Sequence, residues 1–239
     1  MIKEALQYIV GMKEPFVKEI DGKTYTDKSL EVVEPPKHYA RNFEVNTLSS
    51  FVEYIKKNKD NIDYKNVIIH ISDYKTVVMF STLDAYKNRE SYIICRSNTP
   101  TFKFDNFYSN EEFNIKLQSL FCDTEDKKTI LKLVGNIKST DADTISDDGV
   151  TQIVQTKKGI VLGTEENVPN PVHLAPFRTF TEINQPISKF VFRISNGPSM
   201  ALFEADGGAW RLIAVQRIKE YLEKELGENP DTKDIVILA

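Results

Sequence analysis

The feature that most constrains the fold is a pair of apolar runs, FVFRIS (190–195) and MALFEA (200–205), split by Asn196-Gly197. Asn-Gly between two such runs is a strong short-range hairpin signal. A turn centred on Gly197-Pro198 sets Arg193 opposite Leu202. That register predicts an inward face of Phe190, Phe192, Ile194, Ala201, Phe203 and Ala205, and an outward face of Val191, Arg193, Leu202 and Glu204. Every strand residue on the first face is then apolar, as a core-facing register requires. Arg193 and Glu204 fall on a diagonal of the second face, where a cross-strand ion pair contributes about a few tenths of a kcal/mol.

Asp206-Gly207-Gly208 ends the second run, and two glycines permit positive φ or a close backbone approach. Trp210, the only tryptophan, follows at once. Packed beneath the turn, it is a core anchor whose N–H bonds locally. On a surface, it rims a contact site with Glu204 and Asp206, because large aromatics are enriched at hot spots. Arg178, Arg193, Glu204, Asp206, Trp210 and Arg211 are therefore the candidate binding residues.

The rest of the chain reads as α+β: a mixed N-terminal half with helices, then a strand-rich antiparallel half closed by a helix and a last strand. The N-terminus predicts a short amphipathic helix, with Ala5, Tyr8 and Ile9 on one side. FVKEID and KTYTD flank Gly22 as a small hairpin, and LEVVE follows as a strand. A helix is expected from Thr47 to Asn58, where Leu48, Phe51, Val52 and Ile55 keep helical spacing. NVIIHIS and TVVMFS pair across Asp73-Tyr74-Lys75, with SYIICRS as a third strand. Ser109 starts a helix with the capping-box form, and another runs from Asp126 to Ile137. The polar, acidic stretch Ser139–Gly149 reads as a loop. It either divides a mixed region, 1–138, from a strand-rich region, 139–239, or joins them as one continuous domain. GVTQIVQT, GIVLG and VHLAPFRTFTEI are expected strands. The last helix spans Leu212 to Leu226, and DIVILA is the closing strand.

The chain has 239 residues, an apolar fraction of 41% and a net charge of −4. That is enough apolar material for a core, and it is not the basic balance of a general nucleic-acid binder. Cys95 and Cys122 fit no metal-ligand spacing and read as reduced thiols. No apolar stretch is long enough to span a membrane, and the N-terminus lacks a secretory pattern, which points to the cytoplasm.

Phosphate-loop, dinucleotide, serine-hydrolase, zinc-protease and kinase motifs are absent. His38, His70 and His173 make no metal spacing. Asp141, Asp143, Asp147 and Asp148 lack the glycine and glutamate positions of a calcium loop. No catalytic residue, metal site or cofactor is assigned.

The runs DDGVTQIVQTKKGI (147–160), NVPNPVHLAPFRTFTEINQPISKFVFRI (167–194) and ALFEADGGAW (201–210), with FEVNTLSSFVEYIKKN (43–58), resemble an uncharacterised phage and prophage protein family that includes YfdQ. The resemblance implies a bacterial cytoplasm during infection or lysogeny, and a setting among early genes for DNA recombination and replication. It implies no catalytic residues.

The leading expectation is a non-enzymatic binding or assembly protein, acting in phage DNA recombination or replication or against host defence. Protein partners or self-association fit it, and single- or double-stranded DNA is a candidate partner. For single-stranded DNA the residues of interest are Arg178, Phe180, Arg193, Trp210 and Arg211. The other expectation is a metal-dependent hydrolase of nucleic acid or nucleotides, using Glu204 and Asp206 with Asp73 or Asp147.

Overall fold

A computed structural model describes residues 2–11, 17–20, 23–26, 39–137, 142–147, 152–156, 165–195, 199–233 and 235–239. The chain divides into two units, Met1–Tyr39 and Ala40–Ala239. The first holds helix α1 (Ile2–Gly11) and strands β1 (Val17–Ile20) and β2 (Lys23–Thr26). β1 and β2 form the expected antiparallel hairpin, with Val17 opposite Thr26. The expected strand LEVVE lies outside the described residues.

The second unit begins with β3 (Phe43–Val45), α2 (Leu48–Lys57), β4 (Val67–Asp73), β5 (Thr76–Ser81) and β6 (Ser91–Arg96). β7 (Tyr108–Ser109), α3 (Asn110–Leu120), α4 (Glu125–Asn136), β8 (Ala142–Asp147), β9 (Gln152–Thr156) and β10 (Glu165–Val168) follow. β11 (Val172–Leu174), β12 (Ser188–Ser195), β13 (Ser199–Glu204), α5 (Trp210–Gly227) and β14 (Val236–Leu238) complete it. The fold is α+β, with antiparallel and mixed sheets.

Local sequence explains most helix boundaries. The Thr47 hydroxyl accepts from Ser50 N–H at the start of α2, and Asn58 closes that helix in the left-handed region at φ 39°. Ser109 and Thr124 cap α3 and α4 in the same way. Each hydroxyl satisfies one of the helix's unpaired N–H groups, a contribution of about 1 kcal/mol.

Two sheet-and-helix layers share this unit. In one, the sheet order is β14-β4-β5-β6-β3. Its centre is antiparallel, while β14 and β3 add in parallel at the two edges. Alternate residues Val67, Ile69 and Ile71 of β4 bury against Leu48, Phe51 and Ile55 of α2 and Ile218, Leu222 and Leu226 of α5. In the other, the order is β11-β12-β13-β7, antiparallel throughout. Phe190, Phe192 and Ile194 of β12 pack there against Phe113 and Leu117 of α3 and Ile130 and Val134 of α4.

The structure departs from expectation in several places. The closing helix and strand join the first layer rather than the C-terminal sheet: β14 pairs with β4, and α5 packs in the first layer's core. Strand pairings β13–β7 and β14–β4 both join chain before residue 139 to chain after it. Residues 142–147 of the expected acidic loop form β8, paired with β9 in a three-stranded sheet, β10-β9-β8. Backbone pairing overrides composition there. GIVLG lies outside the described residues. Of VHLAPFRTFTEI, only Val172–Leu174 is strand; beyond it the chain leaves the sheet at Pro176, which has no ladder donor.

The hairpin register is one residue off the expected one. Phe192 faces Leu202 and Arg193 faces Ala201, with Ser195 opposite Ser199. The turn residues 196–198 lie outside the described residues. This register puts Met200, Leu202 and Glu204 on the face of Phe192, and moves Phe203 to the face of Arg193. It also separates Arg193 from Glu204, so the expected cross-strand ion pair does not form. A turn centred on Gly197-Pro198 would have put Phe203 inward, yet Leu202 is fully buried and Phe203 only half-buried. Phe192→Ala is therefore expected to cost about 3–5 kcal/mol. Phe203→Ala should cost distinctly less, and urea unfolding midpoints of the two variants check the order.

Candidate ligand-binding site

Between β11 and β12 the chain runs without regular structure, and a buried amide fixes its path. The N–H groups of Arg178 and Thr179 donate to Gln185 Oε1 at 3.0 and 3.2 Å. Gln185 Nε2 donates in return to the carbonyls of Phe180 at 2.8 Å and Ile183 at 3.3 Å. One side chain thus satisfies four backbone groups that have no ladder to join. The Thr179 hydroxyl donates to the Tyr74 carbonyl in the β4–β5 turn, tying this run to the other layer.

So held, Arg178 is buried, its side chain only 9% exposed. Nη1 donates to Glu204 Oε1 at 2.5 Å, and Nη2 donates to the Ser188 hydroxyl. The guanidinium carbon lies 3.8 Å from the centre of the Trp210 ring. Tyr74 meets the same ring edge-on at 4.6 Å. Burial pushes the Arg178 pKa down to about 10, against the attraction of Glu204 and Asp206 and with the repulsion of Arg211. The group is still charged at neutral pH. A cation whose folded-state pKa lies below its unfolded value destabilises the fold while it is charged, and that stability is recovered only as pH rises from about 10 towards the ordinary guanidinium range. Burying this charge therefore costs stability under ordinary conditions.

Trp210 owes its position to the turn before it. Gly207 and Gly208 have φ of 63° and 80°, in the region L side chains avoid. Asp206 Oδ1 accepts from Gly208 N–H at 3.0 Å, and the next turn opens α5 at Trp210. The expectation of a buried tryptophan anchor holds, but its N–H has no local bond. Among the described residues, Trp210 Nε1 and Arg178 Nε are both buried without an acceptor.

Arg178 and Trp210 form part of the wall of a cavity of about 180 Å³ that opens to solvent. Phe102 completes its buried part, Tyr74, Lys75 and Phe104 are half-buried, and Arg211 and Glu204 are exposed at the edge. Four of the six candidate residues thus meet here: Arg178, Glu204, Trp210 and Arg211. Asp206 shapes the turn behind them. Arg193 is on the opposite face of its sheet, and Phe180 is buried in the first core.

Sequence reasoning missed Tyr74, Lys75, Phe102, Phe104, Gln185 and Ser188. Asp73-Tyr74-Lys75 was legible as a turn between strands, and nothing local linked it to Trp210, far along the chain. The acids proposed for metal chemistry have other duties. Glu204 is paired with Arg178, Asp206 holds Gly208, and Asp73 Oδ1 accepts from Lys75 N–H at 2.6 Å. The Asp147 side chain lies outside the described residues. Among the described residues no three His, Cys, Asp or Glu side chains are placed to share a metal ion, and no helix is long and apolar enough to cross a membrane. Burial pushes the Cys95 thiol up to about 12 and also raises that of Cys122, so neither is an activated nucleophile.

Glu204→Ala strands the Arg178 charge and should cost about 2 kcal/mol, less than a fully buried pair because Glu204 is 32% exposed. Arg178→Met/Glu204→Leu should cost less than the two single changes summed, by on the order of 1–2 kcal/mol in a double-mutant cycle from urea unfolding. Gly208→Ala forces an L side chain to φ 80° with its Cβ 2.7 Å from Arg211 Nη1. It should lower stability by about 1–2 kcal/mol, mostly through the backbone.

No family model, curated protein or solved structure matches this chain.

Proposed function

We propose that this chain is a non-enzymatic binding protein whose ligand site is the cavity beside Arg178 and Trp210. One observation carries the reading: a buried guanidinium whose Nε–H lacks an acceptor lies beside the buried Trp210 N–H, which also lacks one, in the wall of an open cavity. Unsatisfied buried donors each cost about 1–3 kcal/mol and call for an explanation. A ligand with acceptor atoms supplies one. The committed carboxylates of Glu204 and Asp206 support binding over hydrolysis. The setting, a phage protein acting in DNA recombination or replication or against host defence, rests on the sequence resemblance alone.

The test is a thermal-shift panel of nucleotides, carboxylates and sugar phosphates, run with product analysis on DNA, RNA and nucleotides in Mg²⁺ or Mn²⁺. The expected outcome is a raised melting temperature with at least one ligand class, and no turnover. Metal-dependent turnover that disappears in Glu204→Gln would replace this reading with the hydrolase one.

A further inference from the structure

We infer that the cavity takes one nucleotide unit, its base inside against the aromatic wall and its phosphate at the mouth between Lys75 and Arg211. This rests on the cavity being a ligand site, and size, lining and charge carry it further. About 180 Å³ is smaller than the pockets that enclose whole drug-sized ligands. It suits a single flat ring system, with the remainder of the molecule left outside.

The lining matches such a ring. Tyr74, Phe102, Phe104 and Trp210 offer aromatic surface, on which bases pack regardless of sequence. The buried Nε–H of Arg178 and Nε1–H of Trp210 lack acceptors, and a base edge carries several. An aliphatic or purely hydrocarbon ligand would use the rings and leave both donors as they are.

Charge then places the phosphate. Glu204 neutralises Arg178, so the cavity's surplus positive charge sits on Lys75 and Arg211. Among the described residues neither is within ion-pair distance of a carboxylate. Both stand nearer solvent than the floor does: Arg211 is exposed and Lys75 half-buried. The Arg211 guanidinium also lies 5.3 Å from the Trp210 ring and 6.0 Å from that of Tyr74. A phosphate attached to a base in the cavity would thus meet cations where the base leaves off.

The same chemistry is offered by a free nucleotide and by one residue of a single strand. Trp210 reports on both, because it is the only tryptophan in the chain. The experiment titrates the full chain with thymidine monophosphate and, separately, with a short oligothymidylate, following tryptophan emission at several salt concentrations. Quenching is expected in at least one arm. Equal affinity in both arms identifies a free nucleotide as sufficient; much tighter oligonucleotide binding identifies a single strand. In either case Lys75→Ala/Arg211→Ala should weaken binding by about tenfold or more and flatten the salt dependence. Both positions lie outside the buried cores, so this variant keeps its fold, which its circular dichroism and melting temperature verify. Binding that the double variant leaves unchanged overturns the inference. So does a failure of both nucleotide probes while a carboxylate or sugar phosphate quenches Trp210, an outcome that leaves the binding reading standing. No change in emission or melting temperature with any of these ligands removes both.

Discussion

Gln185 holds together a run of chain that belongs to neither sheet. The segment from Ala175 to Ile187 joins neither sheet; a bridge between Phe121 and Pro176 pins its start, and beyond that bridge much of it is buried without a ladder. Unpaired backbone groups in such a place would be too costly to keep. The Gln185 amide meets this constraint by accepting from Arg178 and Thr179 and donating to Phe180 and Ile183. With that path fixed, Phe180 and Ile183 enter one core while Arg178 turns towards the Glu204 edge of the other sheet. The cavity exists because these neighbouring side chains are sent to different places.

The second long-range dependence is topological. The last part of the chain returns to the first sheet, so β14 extends β4 in parallel and α5 covers the same face as α2. The first layer's core is therefore incomplete until the chain is almost finished. The turn that begins α5 is also the one that delivers Trp210 to Arg178. Core closure and assembly of the cavity share the Asp206–Gly208 turn, which couples stability to the geometry of the site.

Energetically the site runs against the rest of the molecule. Elsewhere most buried side chains are apolar, and the buried Lys127 ammonium donates to the Gln118 and Phe121 carbonyls and to Asp123. At Arg178 a cation is desolvated beyond what Glu204 and Asp206 recover, and its pKa falls accordingly. Stacking on Trp210 offsets part of this, since a desolvated cation over an aromatic ring contributes on the order of 2 kcal/mol. Two donors are still left without acceptors. Local departures from good packing chemistry are where function is commonly found.

The sequence by itself determined the local elements. The Thr47 and Ser109 caps, the apolar stripes of α2 and α5 and the pairing of β4 with β5 follow from interactions within a few residues or across a short turn, and those are written in adjacent letters. It also marked the Asp206-Gly207-Gly208 turn, because two left-handed residues in succession call for glycine. Only the tertiary structure decided the register of β12 on β13, the destination of α5 and β14, and the meeting of Tyr74, Arg178 and Trp210. Register depends on which residues the facing helices α3 and α4 accept, and both Leu202 and Phe203 are apolar enough for either face. The site joins three distant segments through Gln185 and the Thr179–Tyr74 bond, and no local pattern encodes contacts made across such separations.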